Sequence, residues 1–157
     1  MSTPYTKLYE NILPKFRSYE LALMSEEDAE DYLHDFISPA ISQFHVCRTD
    51  LTDRDEENKC FNEDLSDTEI EILGNYMLLE YIDSTYIRVP SLLKATLSST
   101  DFNAFSNANL LDKLLAMQHR YLSENETLLS RYAWMGAIDS GAAARIGNGY
   151  RKNHRVL

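Results

Sequence analysis

Only two cysteines occur in the sequence, Cys47 and Cys60, and they form no C-x-x-C pair. That excludes a disulfide framework and a cysteine-built zinc site. It points instead to free thiols in a reducing compartment. Met1–Leu13 has no basic segment followed by an apolar run, so no secretory leader is expected. No apolar run reaches the ~18 residues of a bilayer span, so no membrane role is expected either. Period-two alternation is missing as well. Any β-structure is therefore confined to a short hairpin, placed at 48–65.

Signatures of chemistry are missing too. There is no G-x-S-x-G, no G-x-x-x-x-G-K and no Rossmann glycine pattern. His34, His45, His119 and His154 share no H-x-x-H or H-E-x-x-H spacing, so they read as surface or satisfied histidines. The acidic run Asp53, Asp55, Glu57 starts like a calcium loop. It then puts Asn58 where glycine is needed and Asp64 where the bidentate glutamate belongs. The run reads as a solvated loop or an anionic face for a basic partner. With no nucleophile, base and oxyanion donor visible together, the sequence predicts neither an enzyme nor a metal or cofactor site.

What is present is charge, unevenly placed. Net charge is −10 over 157 residues, which repels a phosphate backbone. Residues 19–83 carry 19 of the 25 acids and only Arg48, Arg54 and Lys59 as bases. Residues 141–157 carry no acid and four bases, together with Gly141, Gly147 and Gly149. The first 140 residues sum to −14 and the last 17 to +4, and a boundary falls near Ser140.

Apolar spacing predicts helices. A first helix runs from about Pro4 toward Arg17, with Pro4 in the first turn and Pro14 ending or kinking it. A second starts at Ser25, whose hydroxyl caps a first turn holding Glu26, Glu27 and Asp28. Leu33, Phe36, Ile37, Ile41 and Phe44 continue it, with a break near Ser38 ahead of Pro39. Ser66 and Glu69 spell a capping box, and Leu65 and Ile70 flank it as a hydrophobic staple. The helix that follows is apolar nearly all round from Ile70 to Ile82, the mark of a central element. Gly74 inside it costs about 1 kcal/mol against alanine, tolerable where another helix packs closely. A short helix is expected over 92–97. A long one, roughly 40 Å at 1.5 Å per residue, is expected from about Asn107 past Tyr132. Its stripe is Leu110, Leu114, Met117, Tyr121 and Leu128, widened by Leu111, Leu115, Leu122 and Leu129. Ten tyrosines suit interfaces and half-buried helix faces equally well.

The fold expected is all-α: a small helical bundle with a long C-terminal helix and an extended C-terminal tail. It divides into a helical domain over 1–140 and a basic tail over 141–157.

Two segments carry a family resemblance. The stretch from Asp50 through Asp53-Arg54-Asp55-Glu56-Glu57 to Ser66-Asp67-Thr68-Glu69-Ile70 and Leu73 resembles small proteins of tailed bacteriophages. So does Leu97-Ser-Ser-Thr-Asp-Phe-Asn-Ala-Phe-Ser-Asn-Ala-Asn-Leu-Leu111. The likeness spans about residues 5–132 and is to the head-to-tail connector group, also called adaptor or neck proteins. It implies a virion structural protein that forms a homo-oligomeric ring, commonly of twelve subunits, on the portal protein. Such a ring extends the DNA channel, passes DNA without reading its sequence, and offers a surface to the next neck or tail protein. The implied place is the virion neck, after assembly in the host cytoplasm. Alternatives are a tail-completion or stopper protein, or a regulatory binding protein outside the particle.

The tail has no residue-by-residue match to a family motif, so its role rests on composition. A glycine-bearing basic segment without apolar periodicity orders on a partner rather than alone. Arg145, Arg151, Lys152 and Arg155 would meet acidic grooves on that partner. Ile146, Tyr150, Val156 and Leu157 would supply apolar anchors. The bland alternative is a loose terminus with no role.

Overall fold

The computed structural model describes residues 2–15, 23–88 and 104–139, with side chains of the last helix described over 112–138. The fold is all-α with a very small sheet. Strand β1 (Thr3–Pro4) leads directly into helix α1 (Tyr5–Ile12). Helices α2 (Glu26–His34) and α3 (Ile37–Gln43) follow, then strands β2 (Arg54–Asp55) and β3 (Cys60–Phe61). Helix α4 (Asp67–Ile82) continues into a π-helical segment, Asp83–Arg88. Helix α5 (Ala104–Asp139) has 36 residues. The chain forms two compact units, divided within α5 between Asn125 and Glu126.

The start signals work as local physics requires. Ser25 accepts from the Asp28 N–H, with three acids in the first turn of α2. At α4, Ser66 accepts from the Glu69 N–H at 3.3 Å, and the Ser66 N–H donates to Glu69 Oε2 at 2.8 Å. Glu69 is buried, and its other oxygen accepts from Thr49 Oγ1 at 2.9 Å and from the Cys47 thiol at 3.5 Å. The capping box therefore also ties down the loop that precedes the hairpin.

Prolines shift two expected boundaries. Pro4 is the N-cap of α1 rather than a first-turn residue, in extended backbone that also pairs with β3. Helix α1 stops at Ile12, ahead of Pro14, and residues 16–22 lie outside the described residues. The break after α2 falls at Asp35–Phe36 rather than at Ser38. Pro39 then sits in the first turn of α3, where its missing N–H costs nothing.

The expected hairpin is present, and β1 adds a third strand to it in the order β1-β3-β2. Pairing is antiparallel, Thr3 with Phe61 and Arg54 with Phe61. Lys59 closes the hairpin turn in the left-handed region, φ 49°, and its carbonyl accepts from the Tyr5 N–H at 2.9 Å. Thr3 Oγ1, buried, accepts from the Leu65 N–H at 2.8 Å. The sheet thus clips the start of α1 to the start of α4.

Helix α4 is the core of the first unit, with α1 and α3 packed along it. Ile72, Leu73 and Met77 have no exposed surface, and Leu8, Ile12, Leu33, Ile37 and Phe44 are buried around them. Gly74 is where α1 comes closest. A Cβ built there would stand 2.9 Å from Ile12 Cγ1 and 3.2 Å from Asn11 Oδ1. Among the described side chains of α5, Asn125 and Tyr132 are buried, Leu114, Tyr121 and Leu128 are half-buried, and Met117 is exposed. The helix expected over 92–97 and the side chains of Leu110 and Leu111 lie outside the described residues. Among the described residues, no helix is long and apolar enough to cross a membrane.

Candidate docking surfaces

One face of the first unit is acidic and internally ordered. Asp50 Oδ1 accepts from the N–H and hydroxyl of Thr52 at 2.9 and 2.6 Å. Asp55 accepts from the Glu57 and Asn58 N–H groups, both at 3.0 Å, and from Asn58 Nδ2 at 2.6 Å. The hydrogen bonds from Thr52 and Asn58 hold the Asp50 and Asp55 carboxyls below the usual carboxylate range. Lys59 reaches across to Asp31 at 2.8 Å, which lowers the Asp31 pKa and raises that of Lys59. Arg54 pairs with Glu56 at 2.7 Å, and His34 Nε2 lies 3.4 Å from the same carboxylate. These carboxylates shape turns and pin the hairpin to α2. Among the described residues, no three His, Cys, Asp or Glu side chains are placed to hold a metal ion.

A polar network joins α1, α4 and α5 inside the first unit. Lys15 Nζ donates to Glu71 Oε1 at 2.7 Å, to Asn75 Oδ1 at 3.0 Å and to Asn11 Oδ1 at 3.3 Å. Asn11 Nδ2 donates to Glu71 Oε2 at 3.0 Å. Burial works against charge on Glu71, but the hydrogen bonds from Lys15 and Asn11 outweigh it and lower the pKa. Asn75 passes the network to Asn125 on α5, which fixes the rotation of that helix about its axis.

A groove of about 480 Å³ lies between α3, α4, the π-helical segment and α5. Leu79, Leu115 and Leu122 make it apolar; Leu115 is 42% exposed and Leu122 36%. Glu80, Asp83, Arg88 and His119 stand around them. Gln43 Nε2 donates to Glu80, Gln118 Nε2 donates to Asp83 at 3.5 Å, and Arg88 pairs with Asp83.

No family model, curated protein or solved structure matches this chain. Its surfaces therefore carry the case for its role.

The second unit, described over 126–139, presents the other notable surface. Trp134 is 57% exposed, Met135 62% and Ile138 53%, and Arg131 is exposed beside them. Their spacing is i, i+3, i+4, i+7, a single stripe along a helix.

The tail residues singled out from sequence, Arg145, Ile146, Tyr150, Arg151, Lys152, Arg155, Val156 and Leu157, lie outside the described residues. Tyrosines serve packing in the first unit. Tyr5 and Tyr9 are buried, and Tyr32, Phe36, Tyr81 and Tyr86 form a chain of edge-to-face rings. The groove and the Arg131–Ile138 stripe are the surfaces that the sequence reading passed over. Trp134, Met135 and Ile138 were legible as a periodic continuation of the helix past Tyr132. The groove was not, because its walls come from four separate elements.

Proposed function

We propose that the chain is a structural docking protein of a tailed-phage neck, a head-to-tail connector that seats on the portal and extends the DNA channel. The observation that carries this reading is where docking chemistry collects. Three of the most exposed large apolar side chains among the described residues, Trp134, Met135 and Ile138, stand immediately before the acid-free segment 141–157. Contiguous exposed apolar groups next to a charged segment are what a protein-binding surface needs. The helical body supports the reading in a second way. Its net negative charge repels a phosphate backbone, and hydrogen bonds from Thr52, Asn58 and Lys59 lower the pKa values of Asp50, Asp55 and Asp31 further. The resemblance of residues 50–73 and 97–111 to connector proteins names the partner class.

In this reading Arg145, Arg151, Lys152 and Arg155 engage acidic surface on the portal. Ile146, Tyr150, Val156 and Leu157 fill apolar sites beside it. The next neck or tail protein binds the opposite end of the assembled ring.

Fractionation of particles from an infected culture tests the placement. A connector stays on DNA-filled heads that lack tails, and mass spectrometry of that fraction finds it there. Recovery only with free tails reassigns it as a tail-completion or stopper protein. Absence from every particle fraction makes it a regulatory binding protein and ends the neck reading.

A further inference from the structure

The groove and the stripe match each other in chemistry. The groove offers three leucines, Leu79, Leu115 and Leu122, with two carboxylates, Glu80 and Asp83, against one guanidinium, Arg88. The stripe offers Trp134, Met135 and Ile138 with one cation, Arg131, and no acid between Arg131 and Ile138. Residues at i, i+3, i+4 and i+7 are the anchors by which a helix lies in an apolar groove. Leu79 is buried at the floor of the groove, but leaving both surfaces in water keeps five large apolar side chains, Leu115, Leu122, Trp134, Met135 and Ile138, partly hydrated, which burial against one another would relieve.

We propose that the Arg131–Ile138 stripe of one copy lies in the Leu79–Leu115–Leu122 groove of a second copy, with Arg131 against Glu80 and Asp83. The two surfaces differ, so the contact is heterologous: each copy gives a stripe and receives one. Repetition then builds a closed ring or an open filament, depending on the rotation between copies. Four anchoring side chains make a small interface, of the weak and transient class. The proposal supplies the subunit contact for the homo-oligomer in the docking reading and rests on that reading for its place in the particle. Its test contains no portal, so it fails or stands separately.

Sedimentation velocity of the full chain over a concentration series reads the contact directly. The parent chain self-associates. Trp134→Ala with Ile138→Asp removes the stripe, Leu122→Asp removes the groove, and each change weakens association at least tenfold. All these side chains are at least a third exposed, and circular dichroism confirms that the helices remain. An equimolar mixture of the stripe-less and groove-less chains restores pairs but nothing longer, because each contributes its one intact surface. Charge reversal gives a second arm should Leu122→Asp unfold: Arg131→Glu weakens association and Glu80→Arg in the partner copy restores it.

A parent chain that remains monomeric throughout overturns the proposal. So does a mixture of the two variants that stays monomeric.

Discussion

Asn75 Nδ2 donates to Asn125 Oδ1 at 3.2 Å, and Asn125, with no exposed surface, donates onward to the Ile72 carbonyl at 3.4 Å. A buried amide on a long helix is a registration device: only one rotation of α5 satisfies it. Asn125→Ala leaves the Asn75 amide and the Ile72 carbonyl short of a partner, at a cost of about 1–3 kcal/mol. Chemical denaturation of Asn125→Ala, Asn75→Ala and the double variant measures the coupling. The two changes together cost less than the sum of each alone.

Gly74 sets the distance between α4 and α1. Alanine gains about 1 kcal/mol of helix propensity at an interior position. Here its Cβ meets Ile12 Cγ1 at 2.9 Å, near the root of a fully buried side chain that has no room to swing. Overpacking of this kind costs about 1–3 kcal/mol, so the clash wins. Thermal denaturation of Gly74→Ala gives a lower midpoint than the parent.

Glu71 makes stability fall in acid. Its folded pKa lies below its ordinary value, so its contribution is present above the unfolded pKa, near 4.5, and is lost as pH falls through the folded one. Glu71→Gln keeps the shape but removes the charge that Lys15 pairs with at 2.7 Å. Its denaturation midpoint at pH 7 is lower than the parent's, and the difference shrinks below pH 4. The side chain is partly in water, so the loss at neutral pH is about 1 kcal/mol or less.

Tyr5 makes stability fall in alkali. Burial, then the nearby Glu56 charge, pushes its hydroxyl up from 10.0 to about 12. A raised folded pKa means the contribution is whole below pH 10 and is lost as pH climbs toward 12. Tyrosinate absorbance followed together with circular dichroism shows late ionisation coupled to unfolding. In Tyr5→Phe the alkaline transition moves to higher pH.

Local rules account for much of what the sequence revealed. Ser25, Ser66 and Glu69 announce helix starts because their partners lie within three residues. The all-round apolar character of Ile70–Ile82 announces a central helix because nothing else can bury it. Gly74 was readable as a close approach, though not which helix approached. Asn125 was invisible, because inside the polar run Ser123-Glu124-Asn125-Glu126-Thr127 it reads as exposed, and its partners, Asn75 and the Ile72 carbonyl, come from another helix. Strand β1 was hidden for a similar reason. Two residues, one of them proline, have no period, and only the β3 edge makes them a strand.

The proposed division of labour between an acidic helical body and the basic segment 141–157 is tested most directly by co-sedimentation with a purified portal protein, the partner that the proposed neck role requires. The full chain and a chain ending at Ser140 are compared at matched helicity. The full chain pellets with the portal, and added salt weakens the interaction because four cations carry part of it. The shortened chain keeps its circular dichroism spectrum and stays in the supernatant. A shortened chain that pellets as well as the full one, or a full chain that never associates with portal at any ionic strength, contradicts the account.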